Sequence, residues 1–431
     1  MARTADVAGL EAQIRTVGLR SLLPEQLAGS FPLDGSRVLL DLLPLAMGSL
    51  AIVGCGERVF AIPLTGAGRS RAGDGVFAAL ARAIGEEGEG GRFSVSRLGE
   101  VPPGTRERAI EADQSNDSVV VDEAVVVKLS TLPSPTPHPA VDVPAHLAEV
   151  GFHETPALVG SMTWSGEDGP LLVATVTAFL SGARDGWEWH DELLGSIADG
   201  ARPPAAWTRP AAELGALVGR LHAALGTASS VFPTPRSLAK TGDVASWRRR
   251  AEDTLDDALA CTDGPEGERL RDASPDIRRA FAAFGAVTST PLTPIHGDLH
   301  VGQLLPRREG FAVIDFEGNP LQQADERGTL RPPARDVAST LRSLDHVGRI
   351  VQRRRPERAG DIGSWIADAR TAFLDGYTDA LEGCGSRDLF DERLLRPFEV
   401  AQECHEYVYA ARYLPRWRYV PDLALPALLE T

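Results

Sequence analysis

Two neighbouring segments of the chain decide the fold: PIHGDLHVGQLL at residues 294–305 and, after a short gap, FAVIDFEGNP at residues 311–320. Together they place an acid, an amide and a second acid on two loops that flank a short apolar strand. Phosphoryl transfer from a nucleotide requires such a set, because one carboxylate orients the attacking hydroxyl while an amide oxygen and a second carboxylate hold Mg²⁺ against the phosphates. The segments therefore predict a phosphotransferase catalytic centre.

Within these segments, Asp298 is the candidate catalytic base and Gln303 is a candidate Mg²⁺ ligand. Gln303 follows at the spacing that separates the catalytic Asp from the metal-binding Asn in protein-kinase catalytic loops. Residues 312–314 read as a short apolar strand that delivers Asp315, the second candidate metal ligand, to its end. Glu317 is expected to bind a second metal or to orient Asp315. The alternatives are a chance combination of common loop motifs and a kinase-like scaffold without activity.

The two histidines of the first segment have different expected roles. His296 is expected to brace the loop through hydrogen bonds and to take no part in the chemistry. His300 is either a second brace or a substrate contact, and the sequence favours neither.

Composition and charge narrow the class of protein. The formal net charge of −16 argues against nucleic acid as a partner. No apolar run reaches the roughly 18 residues that would span a membrane, and the N-terminus lacks the basic-then-apolar pattern of a secretory signal. Four scattered cysteines (Cys55, Cys261, Cys384 and Cys404) predict reduced thiols in a cytoplasmic protein without a zinc site. We expect a monomer or a homodimer.

The HGDLHxGQ and IDFEG segments resemble the aminoglycoside-phosphotransferase-like kinases, and within them the actinobacterial maltokinases and their glucosamine-kinase relatives. The resemblance implies ATP and Mg²⁺ as cofactors and a two-lobed, protein-kinase-like α/β fold with an N-terminal cap. It divides the chain into a cap subdomain at residues 1–90, a nucleotide-binding N-lobe at 91–181, and a mainly helical C-lobe at 182–431 that carries the catalytic loop and a sugar-binding helix.

Hydrophobic patterning predicts the main elements. Strands are expected at residues 38–45, 50–64 (broken by glycines), 119–129 (as strand, turn, strand) and 171–180, and helices at 8–17, 77–84, 211–225, 238–260 and 269–284. His222, on the apolar face of one helix, is expected to be a packed histidine and not a ligand.

The candidate nucleotide contacts surround a run of β-branched residues. Lys128 ends this run and could reach the nucleotide phosphates, although a solvated charge at a strand end is the alternative. The preceding turn is a hairpin turn by composition alone. It resembles the Gln-Ser-Asn-x-Ser turn of the maltokinases, and this resemblance makes Ser115, Asn116 and Ser118 candidate phosphate contacts.

Two further nucleotide contacts follow from the resemblance. Maltokinases hold the lysine with a Glu that follows an Asn-Pro step, and Asp142 stands at the matching place here. We expect the adjoining helix to begin only at Pro144, because proline fits the first turn of a helix but not its interior. The hinge strand is expected to offer backbone groups of Val176 to Ala178 to the adenine.

A helix is predicted to start near Arg335 after a Pro-Pro pair. Asp336 in its first turn has two candidate roles. It either stabilises the N-terminus of the helix by its charge, or it hydrogen-bonds the backbone of the catalytic loop, as an Asp at this place does in kinase-like folds. We favour the second role.

A C-terminal helix, expected to close at Pro415, carries the candidate substrate contacts. At 3.6 residues per turn, Glu399, Glu403 and Glu406 share one face, and they repel each other unless a cation lies among them. A solvated helix face is the alternative, but dense aromatic residues argue against it. The candidate sugar contacts are His300, Gln402, Glu403, Glu406, Tyr409 and Trp417.

This helix resembles the one that lines the sugar pocket of maltokinases. In the register set by Pro415 and Trp417, Gln402 stands where those enzymes have a Lys and Glu403 where they have a small residue. A pocket that loses a cation and gains a carboxylate is expected to prefer a substrate with an ammonium group.

The expected function is therefore ATP- and Mg²⁺-dependent phosphorylation of a small amino sugar, glucosamine at its 6-hydroxyl. The alternatives are a maltokinase that makes maltose 1-phosphate, an aminoglycoside phosphotransferase, and a kinase-like module that binds sugar or nucleotide without turnover. Retention of the Lys128, Asp298, Gln303 and Asp315 set argues against the last of these.

Overall fold

A computed structural model describes residues 18–24, 27, 37–86, 91–110, 117–318 and 330–430 of the 431-residue chain. These residues form two compact units. The first contains the described residues up to Ala145 together with Pro156–Ser181, and the second contains His146–Thr155 and the described residues from Gly182 onward. The helix predicted at residues 8–17, together with Ser115 and Asn116, lies outside the described residues.

The first unit contains two antiparallel sheets and three helices. Its strands are β1 (Arg37–Leu45), β2 (Gly48–Cys55), β3 (Arg58–Thr65), β4 (Gly68–Arg69), β5 (Phe93–Arg97), β6 (Glu107–Ala109), β7 (Asp117–Val121), β8 (Val125–Pro135), β9 (Leu158–Gly166) and β10 (Gly169–Ala178). Its helices are α1 (Leu19–Leu22), α2 (Val76–Gly85) and α3 (Pro139–Glu149), the last of which continues into the second unit.

The smaller sheet has the order β1-β2-β3-β4 and the larger has the order β5-β9-β10-β8-β7-β6. The predicted strand at 50–64 is a hairpin of β2 and β3 that turns at Gly56, whose φ of +60° lies in the left-handed region that glycine adopts without strain. The predicted strand-turn-strand at 119–129 is confirmed as β7 and β8.

Buried and partly exposed side chains alternate along β8, so the strand has one buried face and one face that carries Lys128. Val125, Val127 and Leu129 are buried and pack in one core with Phe77 of α2. Because successive side chains of a strand point to opposite faces, Lys128 lies on the face opposite this core. A core made by apolar residues of one face thus fixes the direction of the lysine stem.

The second unit is mainly helical. Its helices are α4 (Gly186–Ala198), α5 (Ala205–Leu225), α6 (Thr241–Cys261), α7 (Gly264–Ala282), α8 (Ala334–Arg354), α9 (Ala359–Gly383), α10 (Leu395–Arg412) and α11 (Tyr419–Glu430). Two short strand pairs accompany them, β11 (Ser237–Leu238) with β12 (Pro291–Leu292), and β13 (Leu304–Pro306) with β14 (Phe311–Val313). The helices predicted at 211–225, 238–260 and 269–284 are confirmed as α5, α6 and α7. Among the described residues, no helix combines the length and apolar character needed to cross a membrane.

One predicted helix start is wrong. We expected the helix near Asp142 to begin at Pro144, but α3 begins at Pro139 and contains Pro144 in its interior. Pro139 supplies the first-turn proline that favours initiation, and the backbone N–H of Asp142 already donates to the His138 carbonyl oxygen at 3.0 Å. The interior proline removes one backbone hydrogen bond without ending the helix.

Helices α5 and α9 pack at close range through glycines. A Cβ atom on Gly215 would collide with the carbonyl oxygen of Phe373, and a Cβ atom on Gly376 would collide with that of Ala212. A Cβ atom on Gly219 would lie 2.6 Å from the Tyr377 carbonyl oxygen. These contacts require the absence of a side chain, so the helix pair depends on glycine at these positions.

The close packing predicts opposite effects for two glycine substitutions within α9. Gly376→Ala is expected to destabilise the fold by about 1–3 kcal/mol, because the methyl group must displace backbone of α5. Gly363→Ala is the matched control, since no atom lies within 4 Å of its Cβ position and alanine favours the helix by about 1 kcal/mol. Urea unfolding curves of both variants test the packing. Equal stability of the two variants would contradict it.

Candidate active site

A buried carboxylate holds the loop at residues 296–301, which carries the candidate base Asp298. The Asp336 side chain, 1 % exposed in the first turn of α8, accepts hydrogen bonds from the backbone N–H of His296 at 2.7 Å and from that of Gly297 at 2.9 Å. Burial alone would raise its pKa, but the hydrogen bond to His222 and the nearby rings of His222 and His296 hold the pKa of Asp336 below its usual value. The predicted contact between Asp336 and the loop backbone is confirmed.

Gly297 can face Asp336 because of its backbone conformation. Its φ of +85° lies in the left-handed region, which residues with a side chain rarely adopt. Two further residues of α8 bind the same loop. Ser343 Oγ accepts a hydrogen bond from Val301 N at 3.0 Å, and Thr340 Oγ1, which donates to the Asp336 carbonyl oxygen at 2.9 Å, lies 3.4 Å from the Leu299 carbonyl oxygen.

His296 ties the loop to the strand that precedes Asp315. Its Nε2 donates to the carbonyl oxygen of Ile314 at 2.8 Å, and its ring packs against Phe316 with the centroids 5.0 Å apart. The side chain is 2 % exposed. The expected bracing role of His296 is confirmed. The buried His222 likewise bonds to protein groups, the Tyr377 hydroxyl at 2.8 Å and Asp336 at 3.2 Å.

The two candidate metal ligands come from adjacent backbones. In the β13–β14 hairpin Leu304 pairs with Val313, and the backbone N–H of Ile314 donates to the Gln303 carbonyl oxygen at 3.0 Å. Asp315 follows with a φ of +65°, a strained conformation for a residue with a side chain. Its carboxylate is exposed, whereas the ring of the next residue, Phe316, is buried. Nothing in the sequence predicted this backbone strain.

Asp298 is half-buried, and the negative charge of Asp315 is near enough to affect it. Burial raises the pKa of Asp298, and the negative charge of Asp315 adds to this increase, while His300, His296 and His405 act in the opposite direction. The predicted base and the predicted metal-binding carboxylate therefore lie within electrostatic range of each other, which is what a shared nucleotide requires. The influence of His405 also shows that α10 reaches the surroundings of Asp298.

The donor set at this place fits Mg²⁺ bound to a nucleotide. The described residues contain no cluster of three or more His, Cys, Asp or Glu side chains that could bind a metal by itself. Mg²⁺ usually takes one or two carboxylates and completes its shell with water and substrate phosphates. One amide oxygen from Gln303 and one exposed carboxylate from Asp315 are consistent with this coordination preference. Glu317, half-buried two residues further on, remains a prediction.

His300 caps the turn that leads to Gln303. Its Nδ1 accepts a hydrogen bond from Gly302 N at 3.1 Å, so the proton of a neutral ring is on Nε2. The ring lies next to Trp187 of α4, with the centroids 6.2 Å apart. The bracing role is therefore present, and a substrate contact through Nε2 stays a prediction. Trp187 was not predicted, because its place beside the loop depends on the packing of α4.

Lys128 and Ser118 are direct partners across two strands. The register of β7 and β8 places Ser118 opposite Lys128, so both side chains project from the same face of the sheet. Both residues are half-buried. This arrangement is compatible with joint contacts to phosphate groups. Their roles remain predictions.

The predicted ion pair between Asp142 and Lys128 gains no support. Asp142 is half-buried in the first turn of α3, and burial raises the pKa of its carboxyl group. A neighbouring ammonium group would lower that pKa instead. The identity of the acidic partner of Lys128 therefore stays a prediction.

The predicted adenine contact at Val176 and Ala178 needs correction. Both residues lie inside β10, which pairs on one side with β8 and on the other with β9. Val176 is opposite Val127 and Gly160, and Ala178 N donates to the Ala157 carbonyl oxygen at 2.8 Å. The backbone groups of a strand paired on both sides are already used. The backbone beyond Phe179, whose own N–H still donates to the Ala124 carbonyl oxygen at 2.8 Å, replaces these residues as the candidate.

The predicted sugar contact Glu403 is also wrong. Its side chain is fully buried, and it accepts hydrogen bonds from His346 Nε2 at 3.0 and 3.2 Å. Arg342 Nη1 lies 3.8 Å from the same carboxylate. A carboxylate enclosed by cations of its own chain cannot be the exposed acid that we expected to attract an ammonium group.

Two buried acids of α10, Glu399 and Glu403, are neutralised by neighbouring helices. Glu399, also fully buried, pairs with Arg342 of α8 at 3.2 Å and with Arg370 of α9 at 2.8 Å. Glu403 raises the pKa of His346, although burial alone would lower it. The requirement for a cation among these acids was correctly predicted, but the cations belong to the protein.

The remaining candidate sugar contacts lie on an adjoining stripe of α10. Gln402 and Glu406 are half-buried, and Gln402 Nε2 donates to Glu406 Oε1 at 2.8 Å. Tyr409 is 39 % exposed and its ring lies 5.3 Å from that of Tyr413. Trp417 is half-buried in a 3₁₀ turn, Pro415–Trp417, which follows the helix. These four stay predicted substrate contacts.

The chain is similar to a known family of phosphotransferases. The model of the phosphotransferase enzyme family, APH, matches residues 106–381. Glucosamine kinase of Streptacidiphilus jiangxiensis is 41 % identical over 407 residues, which cover 90 % of this chain and 92 % of that protein. Glucosamine kinase of Mycolicibacterium smegmatis is 38 % identical over 325 residues, 75 % of this chain and 80 % of that protein.

A solved structure shows the same similarity in three dimensions. A glucosamine kinase in complex with glucosamine, ADP and inorganic phosphate is 38 % identical and superimposes with a TM-score of 0.78, covering 94 % of this chain and 97 % of that chain. The predicted two-lobed, protein-kinase-like α/β fold is thereby confirmed. On its catalytic motifs, its fold and these relatives, the chain belongs to the phosphotransferase enzyme family.

Proposed function

We propose that this protein is an ATP- and Mg²⁺-dependent kinase that converts glucosamine to glucosamine 6-phosphate. The proposal rests on one observation: a catalytic loop with Asp298, bonded to the strand that carries Asp315, occurs in a chain that aligns with a glucosamine kinase over 90 % of its length. The maltokinase and aminoglycoside alternatives have no comparable support, so we do not propose them.

Asp298 would act on the sugar hydroxyl. It would hold the 6-hydroxyl in line with the γ-phosphate and accept its proton late, because the transition state of phosphoryl transfer is loose and needs little base strength. Its raised pKa, caused first by burial, favours acceptance of that proton. The Asp336 and His296 contacts would keep the carboxylate fixed during the reaction.

Gln303 and Asp315 would hold Mg²⁺, which when bound neutralises charge on the transferring phosphates. Lys128 and Ser118, opposite each other in the sheet, would contact the phosphates, with Ser115 and Asn116 in the preceding turn. The backbone beyond Phe179 would contact the adenine.

The amino sugar would be bound by the outer stripe of α10. Glu406, which Gln402 fixes by a hydrogen bond, is the carboxylate that remains partly accessible for the ammonium group. Tyr409 and Trp417 would supply apolar walls against the sugar ring, and His300 Nε2 would donate to a hydroxyl. A cytoplasmic location, where ATP is available, and a monomeric or homodimeric state complete the proposal.

A substrate panel tests the proposed acceptor. In a coupled assay of ADP release with glucosamine, glucose, maltose and kanamycin, we expect the highest kcat/KM for glucosamine, because of its ammonium group. Phosphorus NMR of the product is expected to place the phosphate on the 6-oxygen. Turnover of maltose alone would contradict the choice of amino sugar.

Replacement of the base tests the mechanism. Asp298→Asn is expected to lower kcat by about 100-fold or more, since an amide cannot accept the proton, while ATP affinity stays unchanged. Isothermal titration with ATP and steady-state kinetics provide the two measurements. Retention of most activity would remove Asp298 from the mechanism.

The loop anchor predicts a catalytic defect from a residue that does not contact substrate. In Asp336→Asn one of the two acceptor oxygens becomes an N–H group, so His296 N or Gly297 N loses its partner. We expect kcat to fall by at least about tenfold, since small misplacements of reacting groups are costly. Asp361→Asn is the control, because Asp361 is also a first-turn helix acid but is exposed. Similar kcat values for both variants would contradict the anchoring role.

A further inference from the structure

Helix α8 uses one of its faces to hold the catalytic loop. Asp336, Thr340 and Ser343 follow each other at intervals of four and three residues, and each contacts the backbone of residues 296–301. The catalytic base, Asp298, lies within that segment. Its position is thus defined relative to α8.

A second face of α8 contacts α10, the helix that carries the candidate sugar contacts. Arg342 and His346 lie one turn apart and contact the buried carboxylates Glu399 and Glu403 of α10. His346 is 6 % exposed and Glu403 is fully buried, so the contact between them excludes solvent. The two faces connect the catalytic loop and α10 through one rigid element.

The stripe of α10 beside Glu403 carries the predicted sugar contacts. Gln402 precedes Glu403 directly, and Glu406 lies one turn further along, on the stripe that Gln402 fixes by its hydrogen bond. Because α8 contacts both the loop that carries Asp298 and α10, a rotation of α10 about its axis would move the sugar relative to Asp298.

We propose that Glu403 and His346 are positioning residues that align the sugar-binding stripe of α10 with the catalytic base. This inference rests on the proposed sugar kinase function. Neither residue contacts substrate, since both are enclosed between the two helices. Their contact fixes the rotation of α10 about its axis and its position along that axis relative to α8. It thereby sets the distance from the acceptor hydroxyl to Asp298.

The physical chemistry of the pair favours positioning over stabilisation. A buried ion pair loses about as much free energy through desolvation as it gains by attraction, so apolar residues would serve stability as well or better. What such a pair supplies is a single geometry, because any shift leaves a buried charge without its partner. Alignment for in-line attack requires that single geometry.

The test measures how efficiently ATP cleavage is coupled to sugar phosphorylation. The variants are Glu403→Leu, His346→Leu and the conservative Glu403→Gln, which keeps the shape and can still accept from His346. With a misaligned sugar, water attacks the γ-phosphorus in place of the 6-hydroxyl and gives ADP and inorganic phosphate.

For the leucine variants we expect kcat/KM for glucosamine to fall at least about tenfold and KM for ATP to stay within about twofold. We also expect the amount of sugar phosphate formed per ADP released to fall. Glu403→Gln should be intermediate.

His146→Gln provides the control for a purely structural loss. His146 is also buried and hydrogen-bonded, to Ser229 Oγ at 2.7 Å and the Ala224 carbonyl oxygen at 3.0 Å, and it is not part of α8 or α10. Its replacement is expected to lower stability without changing the coupling ratio. Activities are expressed per folded enzyme, measured by nucleotide titration.

The proposal is overturned if the leucine variants keep the coupling ratio and kcat/KM of the unmodified protein, or if they change only as His146→Gln does. If the leucine variants do not fold, Glu403→Gln decides alone, and an unchanged ratio in that variant overturns the proposal. Failure of the unmodified protein to phosphorylate glucosamine would refute the proposed function instead, and it would be seen before any variant is compared.

Discussion

One buried carboxylate determines the geometry of the catalytic centre. Asp336 accepts hydrogen bonds from two consecutive backbone N–H groups of the catalytic loop, and His222 lies against the same carboxylate. Without an acceptor, the buried N–H of His296 would cost about 1–3 kcal/mol, and the part-buried N–H of Gly297 would also lose its partner. The loop can therefore adopt only conformations that keep both bonds, and Gly297 with its positive φ makes that conformation available.

From this anchor the site extends through a chain of short contacts. His296 connects the loop to Ile314, the residue before Asp315, and the Ile314 N–H returns a hydrogen bond to the Gln303 carbonyl oxygen. The candidate base and both candidate metal ligands thus belong to one hydrogen-bonded assembly. That assembly stores strain at Asp315, whose left-handed backbone turns the carboxylate outward while Phe316 stays in the core. The preorganisation that the proposed phosphoryl transfer requires would arise from these backbone contacts.

Sequence reasoning succeeded where local pattern carries the information. The helices and strands follow periodicities that depend on nearby residues, and the contact of Asp336 with the loop backbone was predicted from its place in the first turn of a helix. The roles of Asp298, Gln303 and Asp315 remain predictions. Sequence reasoning failed where the environment of a residue depends on segments that are distant in the sequence. The partners of Glu403 come from a helix more than fifty residues away, so no local pattern could show that its charge is already neutralised. The misplaced adenine contact at Val176 has the same cause, because pairing on both sides of β10 depends on two other strands. The preference for an amino sugar was thus reached partly through a residue that is not available to bind one.

The most direct test of the account is a crystal structure with a non-hydrolysable ATP analogue, Mn²⁺ in place of Mg²⁺, and glucosamine. The account predicts an anomalous peak for the metal bound by the Gln303 amide oxygen and the Asp315 carboxylate. It also predicts the 6-hydroxyl of glucosamine within hydrogen-bonding distance of Asp298 and in line with the γ-phosphorus. A metal bound without Asp315, or a sugar whose 6-hydroxyl points away from Asp298, would contradict it.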